Sequence, residues 1–139
     1  MNIGYACINM QLSYPQKYGG QEKGVLPITT GRSMIRRTFD SKGIVYASEK
    51  TLSNCSDLEK IVKWNINNGY KFFRVTSNLA PWKSEYRWDE MPDIEQIRKH
   101  LWSAGTMANT HNLRLTSHPG PFNVLTSPHP HVVENCVKD

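Results

Sequence analysis

Apolar residues recur with two different periods along the chain, and the two periods alternate. The short runs with few charges and a strand-like composition are residues 2–9, 70–76 and 113–118. The segments with apolar residues at helical spacing are residues 53–69, 91–112 and 131–139. The order is therefore strand, helix, strand, helix, strand and the first turns of a helix. This alternation predicts an α/β fold with a parallel sheet.

Capping and stop residues predict where the two long helices begin and end. The apolar face of the first helix consists of Leu58, Ile61, Val62 and Ile66. Ser56 and Glu59 match a capping box, so this helix is expected to begin there or at Ser53, and Gly69 is expected to end it. Pro92 is expected in the first turn of the second helix.

Proline-containing loops follow the second and third predicted strands at their carboxyl ends, where parallel α/β folds carry binding and catalytic groups. The connection over residues 14–33 is longer than most ordered loops, which favours a functional role. Because the chain stops inside an amphipathic segment, we expect residues 1–139 to be the N-terminal portion of a single TIM barrel, covering about its first three strand-helix units. Three strands cannot close a barrel, so one sheet face is expected to be exposed.

Composition adds a preference for polyanionic partners. The chain carries 17 Lys and Arg against 12 Asp and Glu, a net charge of +5, which favours nucleic acid, although a protein that is merely basic is the alternative. Three widely spaced cysteines form no C-x-x-C pair, which indicates a reducing compartment. With no long apolar run and no phosphate-binding glycine motif, we expect an intracellular protein (cytoplasm or nucleoid, or nucleus in a eukaryote) with no membrane span and no nucleotide cofactor.

Histidines and a carboxylate near these strand ends are candidate metal ligands. His118 ends the third predicted strand, where a neutral imidazole could bind Zn, Mn or Fe; a hydrogen-bonded structural histidine is the alternative. Glu85, in the loop after the second strand, could reach a hard metal ion. His129 and His131 could chelate a metal, but their proline-rich surroundings favour solvent exposure.

Aromatic and basic residues are interleaved in loops at the same edge. The loop after the second strand places Trp82 beside Lys83, a pattern that suits base stacking and phosphate contact; a loop anchored by buried tryptophans is the alternative. Phe122 could stack on a base or pack beneath its own loop. Arg32 and Arg36, if helical, share a face that could contact phosphate, and an ordinary solvated face is the alternative.

Tyr5 and Asn9 are the polar residues of the first strand and its exit. The Asn9 amide could bond a base edge or a phosphate. The alternative is a turn-forming asparagine beside a tyrosine whose hydroxyl is satisfied. Each of these signals is weak alone, but together they fall at three strand ends on one edge of the sheet, which predicts a single site there.

Several of these stretches together resemble the UV damage endonucleases, also called UV dimer endonucleases. The likeness rests on "GYACIN", "TTGR", "LEKIVKWNINNGYKFFRVTSNLAPW" and "LRLTSHPGPFNVLTSP". It implies a TIM barrel, similar to endonuclease IV, that incises DNA on the 5′ side of cyclobutane dimers, 6-4 photoproducts or abasic sites. It also implies damaged double-stranded DNA as partner and a centre of several divalent metals, typically Mn²⁺.

The resemblance also implies roles for individual residues. His118 matches a metal ligand of the family, and Tyr5 and Asn9 match positions near the damaged nucleotides. Pro121 and Phe122 stand where the family has a glutamine followed by an aromatic residue that wedges into the duplex. The ring is therefore kept, and the amide that could bond orphaned bases is lost.

Glu85 is a second departure, because the family pattern has a histidine ligand at that place. A carboxylate there is a harder ligand and favours Mn or Mg over Zn. The remaining family ligands would lie beyond residue 139, so we expect the isolated chain to be an inactive monomer. The alternatives are a non-catalytic module that binds damaged DNA, or a related metal-dependent barrel enzyme such as an abasic-site endonuclease or a sugar isomerase.

Overall fold

Three short parallel strands form the centre of the fold in the computed structural model, which describes residues 3–118, 120 and 125–138. The strands are β1 (Gly4–Ala6), β2 (Phe72–Arg74) and β3 (Arg114–Thr116), in the order β1-β2-β3. Both pairs are parallel, and Tyr5 lies opposite Phe73, which lies opposite Leu115. The predicted α/β fold with a parallel sheet is confirmed, although each strand is shorter than predicted at both ends.

Helices alternate with these strands in the order that the periodicity predicts. They are α1 (Met10–Ser13), α2 (Arg36–Asn67), α3 (Ile94–Thr110) and α4 (Pro130–Lys138), with short 3-10 turns at Lys83–Glu85 and Trp88–Glu90. Gly69, with a φ of 76°, follows the end of α2 as predicted. Pro92 lies just before α3 rather than in its first turn, because Asp93 is the N-cap of that helix.

The prediction that the first long helix begins at Ser53 or Ser56 is wrong, because α2 begins at Arg36. Its first half buries small and polar side chains instead of large apolar ones, and these are Ala47, Ser48, Thr51 and Asn54. An inward face of that composition does not produce a helical period of hydrophobic residues, so the pattern of the sequence does not predict this half of the helix. Glu59 consequently lies inside α2 and does not cap it.

Gly43 divides α2 into two helical segments. Its φ of 64° and ψ of −159° lie far from helical values, in a region of backbone conformation that is open almost only to glycine. Residues 36–42 therefore leave the axis of residues 44–67 and turn toward the loop that follows β2. There Phe39 packs against the rings of Trp82 and Tyr86.

The core lies on one face of the sheet. Tyr5, Phe73 and Leu115 point toward α2 and α3, where the buried residues of the main cluster are Leu58, Ile61, Val62, Phe73, Val75, Ala104, Ala108 and Leu113. On the opposite face Ala6, Arg74 and Arg114 are exposed, whereas Phe72 and Thr116 are half-buried, so the expected exposure of one sheet face is seen in part. In the part of the chain that the structure describes, none of the helices is long and apolar enough to span a membrane.

A second cluster joins α2 and α3 beneath the loop after β2, and it consists of Ala47, Cys55, Tyr86, Met91 and Ile97. Burial raises the pKa of the Cys55 thiol to about 12, so this cysteine is a packing residue and not a nucleophile. A polar contact also links α2 and α3 at the edge of this core. Oε2 of Glu59 lies 2.7 Å from Nδ1 of His100, and the Ser103 hydroxyl donates to Oε1 of Glu59 over 2.7 Å.

This contact makes the stability of the helix pair depend on pH. The hydrogen bond from His100, followed by that from Ser103, lowers the pKa of Glu59 below its ordinary value of 4.5. A carboxylate with a depressed folded-state pKa stabilises the fold above its unfolded-state pKa, and that contribution is lost as the pH falls through the folded value.

We therefore expect Glu59→Gln to lower the free energy of unfolding at neutral pH by about 1 kcal/mol, a value that allows for solvent screening at this partly exposed site. The difference from wild type should disappear as the pH falls below 4.5. Urea unfolding at a series of pH values measures it. The matched control is Glu95→Gln, which removes an exposed ion pair with Arg98 and should change little; an equal loss in both variants would contradict the prediction.

Candidate functional site at the carboxyl edge of the sheet

Cys7 and His118 meet at the carboxyl edge, although their strands are not neighbours in the sheet. Cys7 follows β1 with a φ of 61°, and the amide of Ile8 donates to the carbonyl of Ala6 over 2.7 Å. This is a tight γ-turn centred on Cys7, a strained conformation that L residues rarely adopt. It ends the strand and brings Sγ of Cys7 to 3.7 Å from Nε2 of His118, which is a weak sulfur–imidazole contact.

His118 is therefore at the predicted edge, half-buried and with a thiol beside its ring. Within residues 3–118, 120 and 125–138, no group of three or more His, Cys, Asp or Glu side chains is close enough to hold a metal ion. Three protein ligands are the usual minimum for a catalytic metal. The described residues thus do not form a metal centre by themselves, and the role of His118 as a ligand stays a prediction.

Glu85 is engaged by a cation. Its Oε1 lies 3.0 Å from Nη1 of Arg36, while Nε of the same arginine lies 2.8 Å from Oδ1 of Asp40. The Arg36 guanidinium also lies over the ring of Trp82, 5.4 Å from its centroid. A metal at Glu85 would take the place of this exposed ion pair, and the role of Glu85 as a ligand stays a prediction.

The loop after β2 combines anchored and exposed aromatic rings. Trp82 donates from Nε1 to the carbonyl of Met34 over 3.0 Å, and Tyr86 donates from its hydroxyl to Pro81 over 2.6 Å. Lys83 folds back, with its ammonium donating to the Tyr86 carbonyl over 2.6 Å. Trp88 remains 41% exposed. Trp82 and Lys83 thus hold the loop together, and contact between either side chain and DNA stays a prediction.

Tyr5 and Asn9 form a polar network behind the sheet. The Tyr5 hydroxyl donates to Oδ1 of Asn65 over 2.5 Å and accepts from Nδ2 of Asn9 over 2.7 Å. Oδ1 of Asn9 accepts from the amide of Leu12 over 3.0 Å and caps α1. Asn9 and Asn65 are buried, and burial is the main reason that the pKa of Tyr5 is raised. Direct contact with DNA would require this network to open.

Arg32 is held by α2. Its Nη1 lies 2.7 Å from Oδ2 of Asp57 and also donates to the Thr29 carbonyl, while Nη2 donates to the Pro27 carbonyl over 3.0 Å. The backbone amide of Thr29 donates to the same Asp57 carboxylate over 3.0 Å. The guanidinium therefore ties the loop to the helix, and a phosphate would have to compete for it. The residue is not helical, so the suggested shared helical face with Arg36 is absent.

Asn54, which is fully buried on α2, connects two of the loops at this edge. Its Nδ2 donates to the carbonyls of Arg32 and Leu79, over 2.9 and 3.0 Å, and its Oδ1 accepts from the amide of Arg32 over 3.1 Å. Both amide hydrogens and the carbonyl oxygen are thus used. We refer to Asn54 and Asp57 as the helix clamp, because together they attach the loops after β1 and β2 to α2.

Sequence reasoning missed Cys7 and the helix clamp. Asn54 precedes Leu58 by four residues, and Asp57 precedes Ile61 by four, so both lie on the apolar face of α2. A polar residue in phase with a buried face is a signal that could have found them. No comparable signal marks the strained turn at Cys7.

The remaining predicted site residues are placed as follows. Pro121 and Phe122 lie outside the described residues. His129 and His131 are exposed, as expected, with ring centroids 5.8 Å apart. A depression of about 530 Å³ lies at the amino ends of β2 and β3, lined by Lys71, Phe72, Asn112 and Arg114, at the opposite edge from Cys7 and His118.

Comparison with known proteins decides the family of the chain. The model of the family described as UV-endonuclease UvdE matches residues 1–139. The chain belongs to this family. It is 31% identical over 137 residues to the UV-damage endonuclease of Schizosaccharomyces pombe, a match that covers 99% of the chain and 21% of that protein. It is 30% identical to the UV DNA damage endonuclease of Clostridium perfringens, covering 100% of the chain and 29% of that protein.

The fold of this family member is similar to that of a solved structure. The match to the chain described as "Crystal Structure of SacUVDE" has a TM-score of 0.73 at 22% sequence identity, and it covers 99% of this chain and 42% of that one. The chain thus spans between 21% and 42% of the length of these relatives.

We expect Asn54→Ala to lower the free energy of unfolding by about 2 kcal/mol, because the Arg32 and Leu79 backbone groups would lose a buried partner. Native-state hydrogen exchange should speed up at the Arg32 amide. The matched control is Asn68→Ala, which removes an exposed hydrogen bond to the Trp64 carbonyl. Equal exchange at Arg32 in the two variants would show that Asn54 does not hold the loop.

Proposed function

We propose that the protein is a DNA repair endonuclease that incises damaged double-stranded DNA on the 5′ side of UV photoproducts, including cyclobutane dimers and 6-4 photoproducts, and of abasic sites. The observation that carries this proposal is the match of the whole chain to the UvdE family. Relatives at 30% identity and above that are named UV-damage endonucleases support it. The substrate range follows the resemblance of the sequence to these enzymes.

We also propose that the three strand-helix units are part of a TIM barrel. The exposed sheet face with Arg74 and Arg114 supports this, because parallel sheets normally have both faces covered. In a barrel that face would line the interior, and His118 would lie at the carboxyl edge where such enzymes carry their sites. The similarity of the fold to SacUVDE over 42% of that chain agrees with a partial barrel.

The proposed enzyme depends on divalent metal ions, with Mn²⁺ as the expected metal, and His118 contributes one ligand. Bound metals of this kind would supply charge neutralisation at a phosphate and an activated water. Cys7 orients the imidazole of His118 through the contact between Sγ and Nε2, in the way that partners behind a ligand hold a ring in place. In this proposal the other ligands are residues that the structure does not describe.

DNA would approach the same edge from the side of the loop after β2. Trp88 and Arg87 are exposed there, and the net charge of +5 favours a polyanion. Arg87 pairs with Asp89 over 3.0 Å and would exchange this exposed carboxylate for a phosphate. The ammonium of Lys83 lies 5.3 Å from the centroid of the Trp88 ring, so a base would stack on the other face of that ring. Trp82 and Lys83 hold the loop in its conformation. Arg32 then contributes by fixing its loop and does not need to touch the duplex.

A second candidate function is binding of damaged DNA without cleavage. It is favoured by the ion pair between Arg36 and Glu85, which gives this predicted ligand a partner within the protein. Both candidate functions predict DNA binding, and they differ in whether a metal-dependent nick follows.

The decisive experiment is nicking of UV-irradiated supercoiled plasmid with Mn²⁺, using the protein expressed from its complete reading frame. We expect nicks on irradiated plasmid only, and their loss on addition of EDTA. His118→Ala should reduce the nicking rate by on the order of a hundredfold and weaken Mn²⁺ binding measured by electron paramagnetic resonance. His111→Ala, at the exposed end of α3, is the control and should keep both properties.

Retained nicking in His118→Ala would remove this residue from the metal site. Absence of nicking in the wild-type protein, with binding to irradiated DNA intact, would favour the non-catalytic function.

The 139-residue chain alone should not nick irradiated plasmid in Mn²⁺, because its described residues do not assemble a set of three metal donors. It should still bind duplex DNA, with an affinity that falls as salt rises. Nicking by the pure chain would contradict the prediction. Circular dichroism is the control that distinguishes a folded but inactive chain from a misfolded preparation.

A further inference from the structure

The loop of residues 14–26, between α1 and the residues that the helix clamp holds, carries unusual exposed side chains. Leu26 is 82% exposed, and the rings of Tyr14 and Tyr18 are 48% and 45% exposed. The two rings meet edge to face, with centroids 6.0 Å apart, and the ammonium of Lys17 lies 5.0 Å from the centroid of Tyr18. One short loop thus exposes apolar, aromatic and cationic side chains.

The backbone on both sides of Leu26 is fixed. On one side, Nε2 of Gln16 donates to the carbonyl of Val25 over 2.9 Å. On the other side, Arg32 donates to the carbonyl of Pro27, and the helix clamp in turn holds that arginine through Asp57. A single exposed leucine is ordinary on a protein surface, but here hydrogen bonds to the backbone on both sides hold this leucine in water.

The position of Leu26 connects it with the candidate site. The amide of Ile28 donates to the carbonyl of Leu12 in α1, over 3.0 Å, and the Ser13 hydroxyl donates to the carbonyl of Ile28. Because α1 follows the carboxyl end of β1 after Cys7, the loop is attached beside the edge that carries Cys7 and His118. The loop is therefore anchored to the helix that follows this edge.

We propose that Leu26 is a wedge that contacts unstacked bases in damaged duplex DNA, with Lys17 against a neighbouring phosphate. The inference rests on the proposed function, since it names a further DNA contact of the same edge. Proteins that distort or recognise distorted duplexes insert apolar side chains such as leucine between base steps. An exposed leucine, an ammonium and two phenol groups on one loop match apolar base faces bordered by phosphates, and the positive net charge of the chain agrees.

The test is DNA binding by fluorescence anisotropy in EDTA, so that no cleavage occurs, with the protein expressed from its complete reading frame. One duplex contains an abasic-site analogue opposite 2-aminopurine, and the other is undamaged. Leu26→Ala should weaken binding to the damaged duplex by on the order of tenfold, with a small effect on the undamaged one. The 2-aminopurine fluorescence that rises on unstacking should rise less than with wild type, and Leu26→Met should restore it.

Matched controls separate the wedge from general surface effects. Val45→Ala removes an aliphatic side chain that is 54% exposed on α2 and should bind like wild type. Lys17→Gln should reduce the slope of log affinity against log salt by about one. Lys63→Gln makes the same charge change near the C-terminal end of α2, away from the loop of residues 14–26, and should leave the slope unchanged.

The possible outcomes distinguish this inference from the proposed function. If wild type prefers the damaged duplex and Leu26→Ala binds it as Val45→Ala does, the wedge is wrong while the proposed function stands. If wild type binds the two duplexes equally, the wedge is wrong, and if it also fails to nick irradiated plasmid with Mn²⁺, the proposed function fails with it. Loss of preference and of the fluorescence rise in Leu26→Ala alone, with an unchanged circular dichroism spectrum, supports the wedge.

Discussion

The helix clamp is the interaction on which the carboxyl edge of this protein depends. A buried amide and a buried carboxylate destabilise a fold unless their polar atoms are paired. Here the backbone of residues 29–32 and the carbonyl of Leu79 provide those partners. The loops after β1 and β2 therefore cannot move independently without leaving Asn54 or Asp57 unsatisfied. A helix that lies behind the sheet thus determines the position of the loops at the candidate edge, including the backbone next to Leu26.

Backbone strain at Cys7 has a complementary effect on the same edge. Unusual dihedral angles persist only where the surroundings hold them, and the amide of Cys7 is held by the carbonyl of Arg74 over 2.7 Å. The turn removes Cys7 from the alternation of β1, so that its thiol reaches His118 across the end of β2. The pairing of these two side chains is consequently a result of backbone geometry. It gives the imidazole a partner within the protein that does not depend on a bound metal.

Order in the loop after β2 follows from buried hydrogen bonds more than from its ion pairs. Exposed ion pairs such as those of Arg36 contribute little individually. By contrast, Tyr86 is buried, and its hydroxyl and the indole of Trp82 donate to backbone carbonyls. A loop held in this way loses less conformational entropy when it binds a partner. The same reasoning applies to residues 14–26, which Gln16 and Arg32 hold on either side of Leu26.

The sequence alone determined the order of strands and helices, the parallel sheet, the stop at Gly69 and the edge where His118 lies, because periodicity and the geometry of parallel strands are local rules. It did not determine the partners of the polar residues. Tyr5 and Asn65 are 60 residues apart, Arg36 and Glu85 are 49 apart, and Cys7 and His118 are 111 apart. A charged or polar side chain has the same local signature whether it meets a ligand, a carboxylate or a backbone carbonyl. Only the tertiary structure decides among these, because the cost of burying a polar group depends on which partner the fold brings within hydrogen-bond distance.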